Sequence, residues 1–241
     1  MIAFRKHRFA LILMSLSTIF VAVVPLFLVA GCRPLQQSPA ELKARETLRA
    51  MTRGEVLPAE DAVARIEKEF PNTTAGALAR IVHARIRLKA TDFAGAASLL
   101  DGKILHDYTV IGDYALWMRG NTLENLTRYA EARTAYEQLT RDYPHSLRAR
   151  EATLHIAQME LNEGVAASVP ATLAPLVAKD DAAALLLTAK AQEQNGNSTG
   201  ALAFYRRIYF YTPAAIEAGE AATAITRLKS STVAANAAEG L

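Results

Sequence analysis

The cysteine and histidine residues limit the chemistry that this sequence could support. Cys32 is the single cysteine, which excludes an intramolecular disulfide and a cysteine-rich metal site. None of the five histidines is paired at the helical spacing of a zinc motif such as H-E-x-x-H. They are His7, His83, His106, His145 and His155. We therefore expect packed or surface histidines, no metal and no cofactor.

The acidic residues do not form a catalytic arrangement either. Asp180 and Asp181 are adjacent in sequence, and neighbouring residues on a helix point in different directions, so they would not share a proton. We expect them to cap and begin a helix. The sequence also contains neither a Walker A loop nor a G-x-G-x-x-G motif after a strand. These observations predict a protein that is not an enzyme.

The N-terminal segment has the layout of a secretion signal. A basic start with Arg5, Lys6 and Arg8 is followed by an apolar run from Phe9 to Ala30. The run of roughly 20 apolar residues could also span a bilayer, so an uncleaved anchor is the alternative. Both interpretations place the remaining chain outside the cytoplasm.

The end of this segment resembles the lipobox of bacterial lipoproteins. Its residues are Leu28, Val29, Ala30, Gly31 and Cys32. The resemblance implies that residues 1–31 are removed and that Cys32 is acylated and becomes the mature N-terminus. Arg33 stands where enterobacterial lipoproteins of the inner membrane have aspartate. This implies a lipid anchor in the outer membrane, with the protein facing the periplasm.

The composition favours helices and gives no reason to propose nucleic acid as a partner. The chain has 241 residues, is 51% hydrophobic and carries a formal charge of +3. Three of its 27 basic residues lie in the signal segment, so the mature chain balances its 24 acidic residues with as many basic ones. Nucleic-acid binding would need a basic face. An Ala-rich, aromatic-poor chain suits close-packed helices.

The stretch from Gly112 to Pro144 predicts two helices that form a hairpin. Apolar and small residues recur at steps of three and four. They are Leu116, Gly120, Leu123, Ala132, Tyr136 and Leu139. The break falls near Thr127, and Pro144 ends the unit. The length of about 34 residues and these positions resemble the tetratricopeptide repeat. That resemblance implies an all-α, right-handed solenoid of helical hairpins.

Related patterns divide the rest of the chain. Pro170 and Pro175 predict that the second helix of the third repeat is short or kinked. Helical spacing places Tyr205 and Tyr209 in the core, whereas Phe210 and Tyr211 pack under the last helix or rim a binding surface. The predicted regions are a signal peptide (1–31), a tether (32–39), an N-terminal capping or degenerate helical pair (40–72), repeats with a C-terminal capping helix (73–230) and a disordered tail (231–241).

The repeat resemblance also implies a binding groove, because tetratricopeptide arrays present their first helices on the concave side. In the best repeat the groove positions are Tyr114, Trp117, Asn121, Glu124 and Asn125. In the other repeats they are Ile81, Arg85 and Lys89, then Leu154, Gln158 and Asn162, then Leu186, Lys190 and Gln194. An aromatic anchor beside amide groups suits a peptide backbone.

Two bacterial families resemble the repeat region. The segment LTRDYPHSLRAREA is similar to outer-membrane assembly lipoproteins of the BamD type, and the segment from Ala184 to Ala222 looks like the superhelical region of soluble lytic transglycosylases. The first resemblance implies an envelope scaffold that binds a protein or peptide partner. The second implies the non-catalytic arm of a truncated or split enzyme, associated with peptidoglycan. We expect the scaffold, with the arm as the alternative.

Overall fold

The computed structural model describes residues 38–54 and 56–239, with side chains described up to residue 229. The chain divides into a unit ending at Leu42 and a larger unit from Lys43 to Leu241. The described ranges contain helices and no strand, which confirms the predicted all-α helical repeat fold. The signal peptide, the lipobox and Cys32 lie outside the described residues.

The helices are α1 (Pro39–Met51), α2 (Glu60–Glu69), α3 (Thr74–Lys89), α4 (Phe93–Leu99), α5 (Ile104–Tyr108), α6 (Gly112–Asn125), α7 (Tyr129–Asp142), α8 (Ala149–Asn162), α9 (Val169–Val177), α10 (Ala182–Gln194), α11 (Ser198–Tyr211) and α12 (Ala218–Glu239). Among these described helices, none is long and apolar enough to cross a membrane.

Successive helices from α3 onward pair as hairpins. The pairs are α3 with α4, α6 with α7, α8 with α9, and α10 with α11, and α12 then packs on α11. At the other end of the array, Leu48 of α1 and Val63 of α2 share an apolar cluster with Val82 of α3. The short helix α5, which the sequence analysis did not predict, buries Leu105 beside α6.

Each hairpin turns at a residue with a left-handed backbone. These residues are Thr91, Thr127, Gly164 and Gly196, with φ values of 58°, 57°, 78° and 77°. After Thr127, the N–H of Arg128 donates to the carbonyl of Leu123 at 2.9 Å, which satisfies an orphan carbonyl at the end of α6. The predicted break near Thr127 is therefore a helix-terminating turn.

A tyrosine ring against a small residue sets the closest approach within two hairpins. Gly120 of α6 lies against the fully buried ring of Tyr136 on α7, and a Cβ atom at Gly120 would lie 2.4 Å from that ring. In the α10–α11 hairpin, the buried Ala189 and Tyr205 belong to the same cluster. Tyr136 can be buried here only because Gly120 has no side chain.

The same hairpins carry a hydrogen bond between a hydroxyl and a carboxylate. The hydroxyls of Tyr136 and Tyr205 donate to Glu124 and Glu193, each at 2.6 Å. In the α8–α9 hairpin the hydroxyl of Thr172 donates to Glu160 at 3.0 Å. All three pairs are 12 residues apart in sequence. This spacing aligns the three hairpins residue by residue.

Two helices in the C-terminal half are shaped by their composition. Helix α9 has only 9 residues, as predicted. It contains Pro175, whose missing N–H removes a helical hydrogen bond. Helix α12 continues to Glu239. The predicted disordered tail (231–241) overlaps the end of this helix, and its disorder stays a prediction.

We expect Gly120→Leu to lower the thermal midpoint of unfolding. The added side chain meets a tyrosine ring that is packed on every side, and overpacking of this kind typically costs about 1–3 kcal/mol. Gly219→Leu is the matched control, since a Cβ at helical Gly219 meets nothing within 4 Å. Equal midpoints for the two variants in a thermal melt would contradict the close approach of α6 and α7.

Candidate protein-binding surface

Two aromatic rings and a guanidinium group form a stack where α6 meets the start of α8. The rings of Tyr114 and Trp117 are stacked, with centroids 6.4 Å apart and planes 17° apart. The guanidinium carbon of Arg148 lies 4.9 Å from the Tyr114 ring centroid and 5.7 Å from that of Trp117. A cation over an aromatic face is attracted by the negative face of the ring. We call these three side chains the aromatic–arginine cluster.

The turn between α7 and α8 holds Arg148 in place. The hydroxyl of Ser146 donates to Asp113 at 2.6 Å, and the backbone N–H of Arg148 donates to that hydroxyl at 3.1 Å. A guanidinium nitrogen of Arg148 also lies 3.8 Å from the Asp113 carboxylate. Because Asp113 belongs to α6, these contacts fix the arginine relative to the two rings. The sequence analysis did not identify Arg148, which lies just after the repeat that ends at Pro144.

Trp117 is more deeply packed than a groove residue was expected to be. It is half-buried and contacts two core clusters, one with Met118 and one with Leu123. Its indole nitrogen is buried without a hydrogen-bond partner. Truncating a packed tryptophan typically costs about 3–5 kcal/mol, so Trp117→Ala is expected to destabilise the fold.

The two predicted asparagines continue along the same face of α6. The side-chain amide of Asn121 donates to the carbonyl of Trp117 at 3.3 Å, and that of Asn125 donates to the carbonyl of Asn121 at 2.8 Å. Asn125 is exposed and Asn121 is half-buried. Trp117, Asn121 and Asn125 thus lie in one row, with Tyr114 stacked on Trp117 at its start.

Glu124 connects two hairpins. Its carboxylate accepts the Tyr136 hydroxyl bond and lies 2.8 Å from Nδ1 of His155, whose ring stacks on Tyr136 with centroids 4.9 Å apart. Burial raises the pKa of Glu124, but the hydrogen bonds from His155 and Tyr136 outweigh it and leave that pKa lowered. The hydrogen bond to Glu124 raises the pKa of His155 despite its partial burial. All the acceptor contacts of Glu124 are therefore internal.

The remaining predicted groove residues have separate surroundings. Arg85 and Lys89 are exposed on α3. Gln158 donates to Asn162 at 2.9 Å, Lys190 pairs with Glu220 at 2.8 Å, and Gln194 donates to the carbonyl of Leu161 at 3.3 Å. None of these contacts joins them to the aromatic–arginine cluster.

Three apolar groove predictions need correction. Ile81 and Leu186 are core residues because they face the neighbouring helices, and Leu154 packs against a core cluster. In the third repeat the predicted positions are also shifted by one residue. Glu160 takes the place of Glu124, so the buried Ala157, and not Gln158, is equivalent to Asn121.

The aromatic residues at the end of α11 divide between core and surface. Tyr205 is 2% exposed, as predicted. Tyr209 is 47% exposed, and Phe210 and Tyr211 are 68% and 76% exposed. The placement of Tyr209 in the core is therefore wrong, because the face of α11 that packs on α12 carries Tyr205 and Ile208.

The acidic and histidine residues have structural contacts. Asp181 caps α10 by accepting from the N–H of Ala184 at 3.1 Å, and Asp180 pairs with Arg207 at 2.6 Å. His83 lies between the carboxylates of Glu67 and Glu60, at 2.9 and 3.0 Å. In the part of the chain that the structure describes, no group of three or more such residues could hold a metal ion.

We expect His155→Gln to destabilise the fold more at about pH 6 than at about pH 8.5. The raised pKa of His155 means that its charged form stabilises the fold at pH values below its ordinary pKa, and this contribution is lost as the pH rises through the folded value. At the lower pH, His155→Gln should lower the free energy of unfolding by about 1.5–3 kcal/mol, the usual range for a hydrogen bond to a charged group.

Urea unfolding at both pH values measures this difference. Exposed His145→Gln is the control and should cost little at either pH. A destabilisation by His155→Gln that is the same at both pH values would contradict a charged pair between α6 and α8.

Comparison with known proteins relates part of this region to a repeat family. Residues 114–146 match the family model of the tetratricopeptide repeat. No curated protein matches the chain. Among solved structures, MamA 41-end from Desulfovibrio magneticus RS-1 is 16% identical with a TM-score of 0.48, over 64% of this chain and 93% of that one. The MamA RS-1 ArsTM double mutant is 17% identical with a TM-score of 0.47, over 73% and 98%.

These comparisons do not confirm the resemblance to BamD-type lipoproteins or to lytic transglycosylases, which stays a hypothesis. The matched range begins at Tyr114, includes the rest of α6 and all of α7, and ends at Ser146 in the turn that holds Arg148. Residues 114–146 are thus matched as a tetratricopeptide repeat, and the residues that the structure describes around them form helices and no strand.

Proposed function

We propose that this chain is a protein-binding scaffold that is tethered to the outer membrane by a lipid on Cys32 and faces the periplasm. The observation that carries the binding role is the aromatic–arginine cluster in the matched repeat. Repeat arrays of this class expose long surfaces that bind protein partners. Tryptophan, tyrosine and arginine are also the residues most enriched among those that dominate binding energies.

The chemistry of the α6 face suits a peptide or a helix of a partner protein. The stacked rings of Tyr114 and Trp117 and the planar guanidinium of Arg148 are held in place before binding, so little side-chain entropy is lost. Exposed Asn125 extends the row with a polar group. In the preceding repeat, the positions that correspond to Asn121 and Asn125 hold Arg85 and Lys89 on α3. These two residues would add positive charge to a longer interface.

The proposed location rests on the sequence around Cys32. A cysteine directly after Leu28, Val29, Ala30 and Gly31 suits lipoprotein processing. Each buried acyl methylene contributes about 0.8 kcal/mol, so two or more chains give stable anchoring where one is marginal. The tether from Arg33 to Pro39 would then separate the membrane from the helical array.

The lipid anchor predicts that cells grown with a labelled fatty acid label the wild-type protein and not Cys32→Ala. The label should survive denaturing electrophoresis because it is covalent, and mass spectrometry of the wild type should show a mature chain that begins at Cys32. A Cys32→Ala protein labelled as strongly as the wild type would exclude this anchor. So would a mature protein that retains the apolar run from Phe9 to Ala30.

The binding role predicts that a photo-cross-linking amino acid at Asn125 captures a protein partner in cells, and that Arg148→Ala reduces the adduct strongly. Loss of an interface arginine of this kind typically weakens binding by about 2 kcal/mol or more. Arg148 touches ring faces and a carboxylate at the surface, so its removal should affect folding much less than Trp117→Ala.

Arg141→Ala is the matched control, because Arg141 is an exposed arginine on α7 that pairs only with its neighbour Asp142. It should leave the adduct unchanged. An equal adduct from a folded Arg148→Ala protein would show that the partner does not use the α6 face.

A further inference from the structure

A groove lies between α11 and α12, away from the α6 face. Its volume is about 550 Å³. Tyr209 and Phe210 of α11 form one wall, Ala222 and Ile225 of α12 form the apolar floor, and the exposed Arg206 and Lys229 supply positive charge. We call it the C-terminal groove. Among the described residues neither Arg206 nor Lys229 has an ion-pair partner.

The aromatic wall lies at the surface of the α10–α11 hairpin. Tyr209 and Phe210 contact each other edge to face, with centroids 5.2 Å apart, and both are exposed. The hydroxyl–carboxylate spacing aligns α11 with α7, where the same two positions are Thr140 and Arg141. The α6–α7 hairpin folds with polar residues there. Exposed aromatic residues at these positions point to a partner that covers them.

The residue-by-residue alignment of the repeats shows what kind of element could pack on the floor of the groove. Helix α12 packs on α11 through Ala221 and Leu228, as α8 packs on α7 through Ala152. Helix α12 therefore corresponds to the first helix of a hairpin. Ile225 and Lys229 then stand where α8 has Ile156 and Glu160. In the α8–α9 hairpin, the second helix packs on Ala157 and bonds Glu160. Thr226 of α12 aligns with Ala157 and lines the groove beside Lys229. The C-terminal groove is thus a surface on which an α-helix packs.

The charge at this surface is reversed relative to the α6–α7, α8–α9 and α10–α11 hairpins. Glu124, Glu160 and Glu193 each accept a hydroxyl hydrogen bond from the second helix, whereas α12 has Lys229 at the equivalent position. A lysine ammonium has only donors, so it needs an acceptor, and a carboxylate is the strongest one. The residue that faces Glu160 in the α8–α9 hairpin, Thr172, is short, and we take the residue that faces Lys229 to be short as well. Aspartate meets both conditions.

We infer that the C-terminal groove binds an amphipathic α-helix of a partner protein, with an aspartate that faces Lys229. The apolar stripe of that helix covers Tyr209, Phe210 and Ile225, and a second acid on its flank pairs with Arg206. This surface is separate from the α6 face, so the inference goes beyond the proposed function and stands or fails independently of it.

A labelled model helix tests the inference with the full chain in a mild detergent. The probe is a lactam-bridged peptide of about 16 residues with a Leu/Ala stripe and one central aspartate, since unbridged helices of this length are marginal in water. Its sister peptide has lysine in place of the aspartate. By fluorescence anisotropy, the aspartate peptide should bind the wild type at least about tenfold more tightly than the lysine peptide.

Two variants test the contacts. Lys229→Glu should reverse the preference between the two peptides, because the charge facing the variable residue is reversed. Phe210→Ala should weaken binding of the aspartate peptide about tenfold, which is in the range for loss of an interface anchor. Leu147→Ala, which removes an even more exposed apolar side chain outside the groove, should change neither value. Phe210 is exposed, so circular dichroism should confirm that both groove variants stay folded.

Several results would overturn the inference. These are no binding of the aspartate peptide to the wild type, equal binding of both peptides, or a preference that Lys229→Glu leaves unchanged. Self-association of the chain that Phe210→Ala abolishes would instead identify a second copy as the occupant. Binding to anionic vesicles that is lost in Phe210→Ala would identify a lipid surface.

Discussion

The array depends on how the two helices of each hairpin approach each other. In the matched repeat the Tyr136 ring occupies the space that Gly120 leaves open, and its hydroxyl reaches the Glu124 carboxylate at 2.6 Å. Burying that hydroxyl without an acceptor would cost about 1–3 kcal/mol. The ring and the carboxylate are therefore required together. Because the same carboxylate also contacts His155 of α8, this single group joins one hairpin to the next.

Local sequence patterns were sufficient to predict the hairpins. Helical spacing from Leu116 to Leu139, the break near Thr127 and the small residue at Gly120 all follow from local rules, and the structure agrees with each of them. The proline-containing α9 is short for an equally local reason.

The candidate surface was harder to predict because it depends on contacts between helices. Sequence spacing places Tyr114, Trp117, Asn121 and Asn125 on one face of α6, but it does not show that Trp117 contacts two core clusters or that Glu124 bonds to α7 and α8. Arg148 was missed because it lies in a turn after the repeat. The recurring spacing of 12 residues between a glutamate and a hydroxyl was present in the sequence and would have identified Glu124 as structural.

The sizes of the side chains at matching positions of the two helices in a hairpin limit how such a protein can evolve. Gly120 of α6 packs against Tyr136 of α7, whereas the aligned positions in the next hairpin hold Ile156 in α8 and Thr172 in α9. Each second helix therefore fits its own first helix and not that of a neighbour. Exchange of single helices between repeats, by recombination or by design, would place a tyrosine against an isoleucine in one hairpin and leave a void in the other. Whole hairpins are the units that can be duplicated, shuffled or lost.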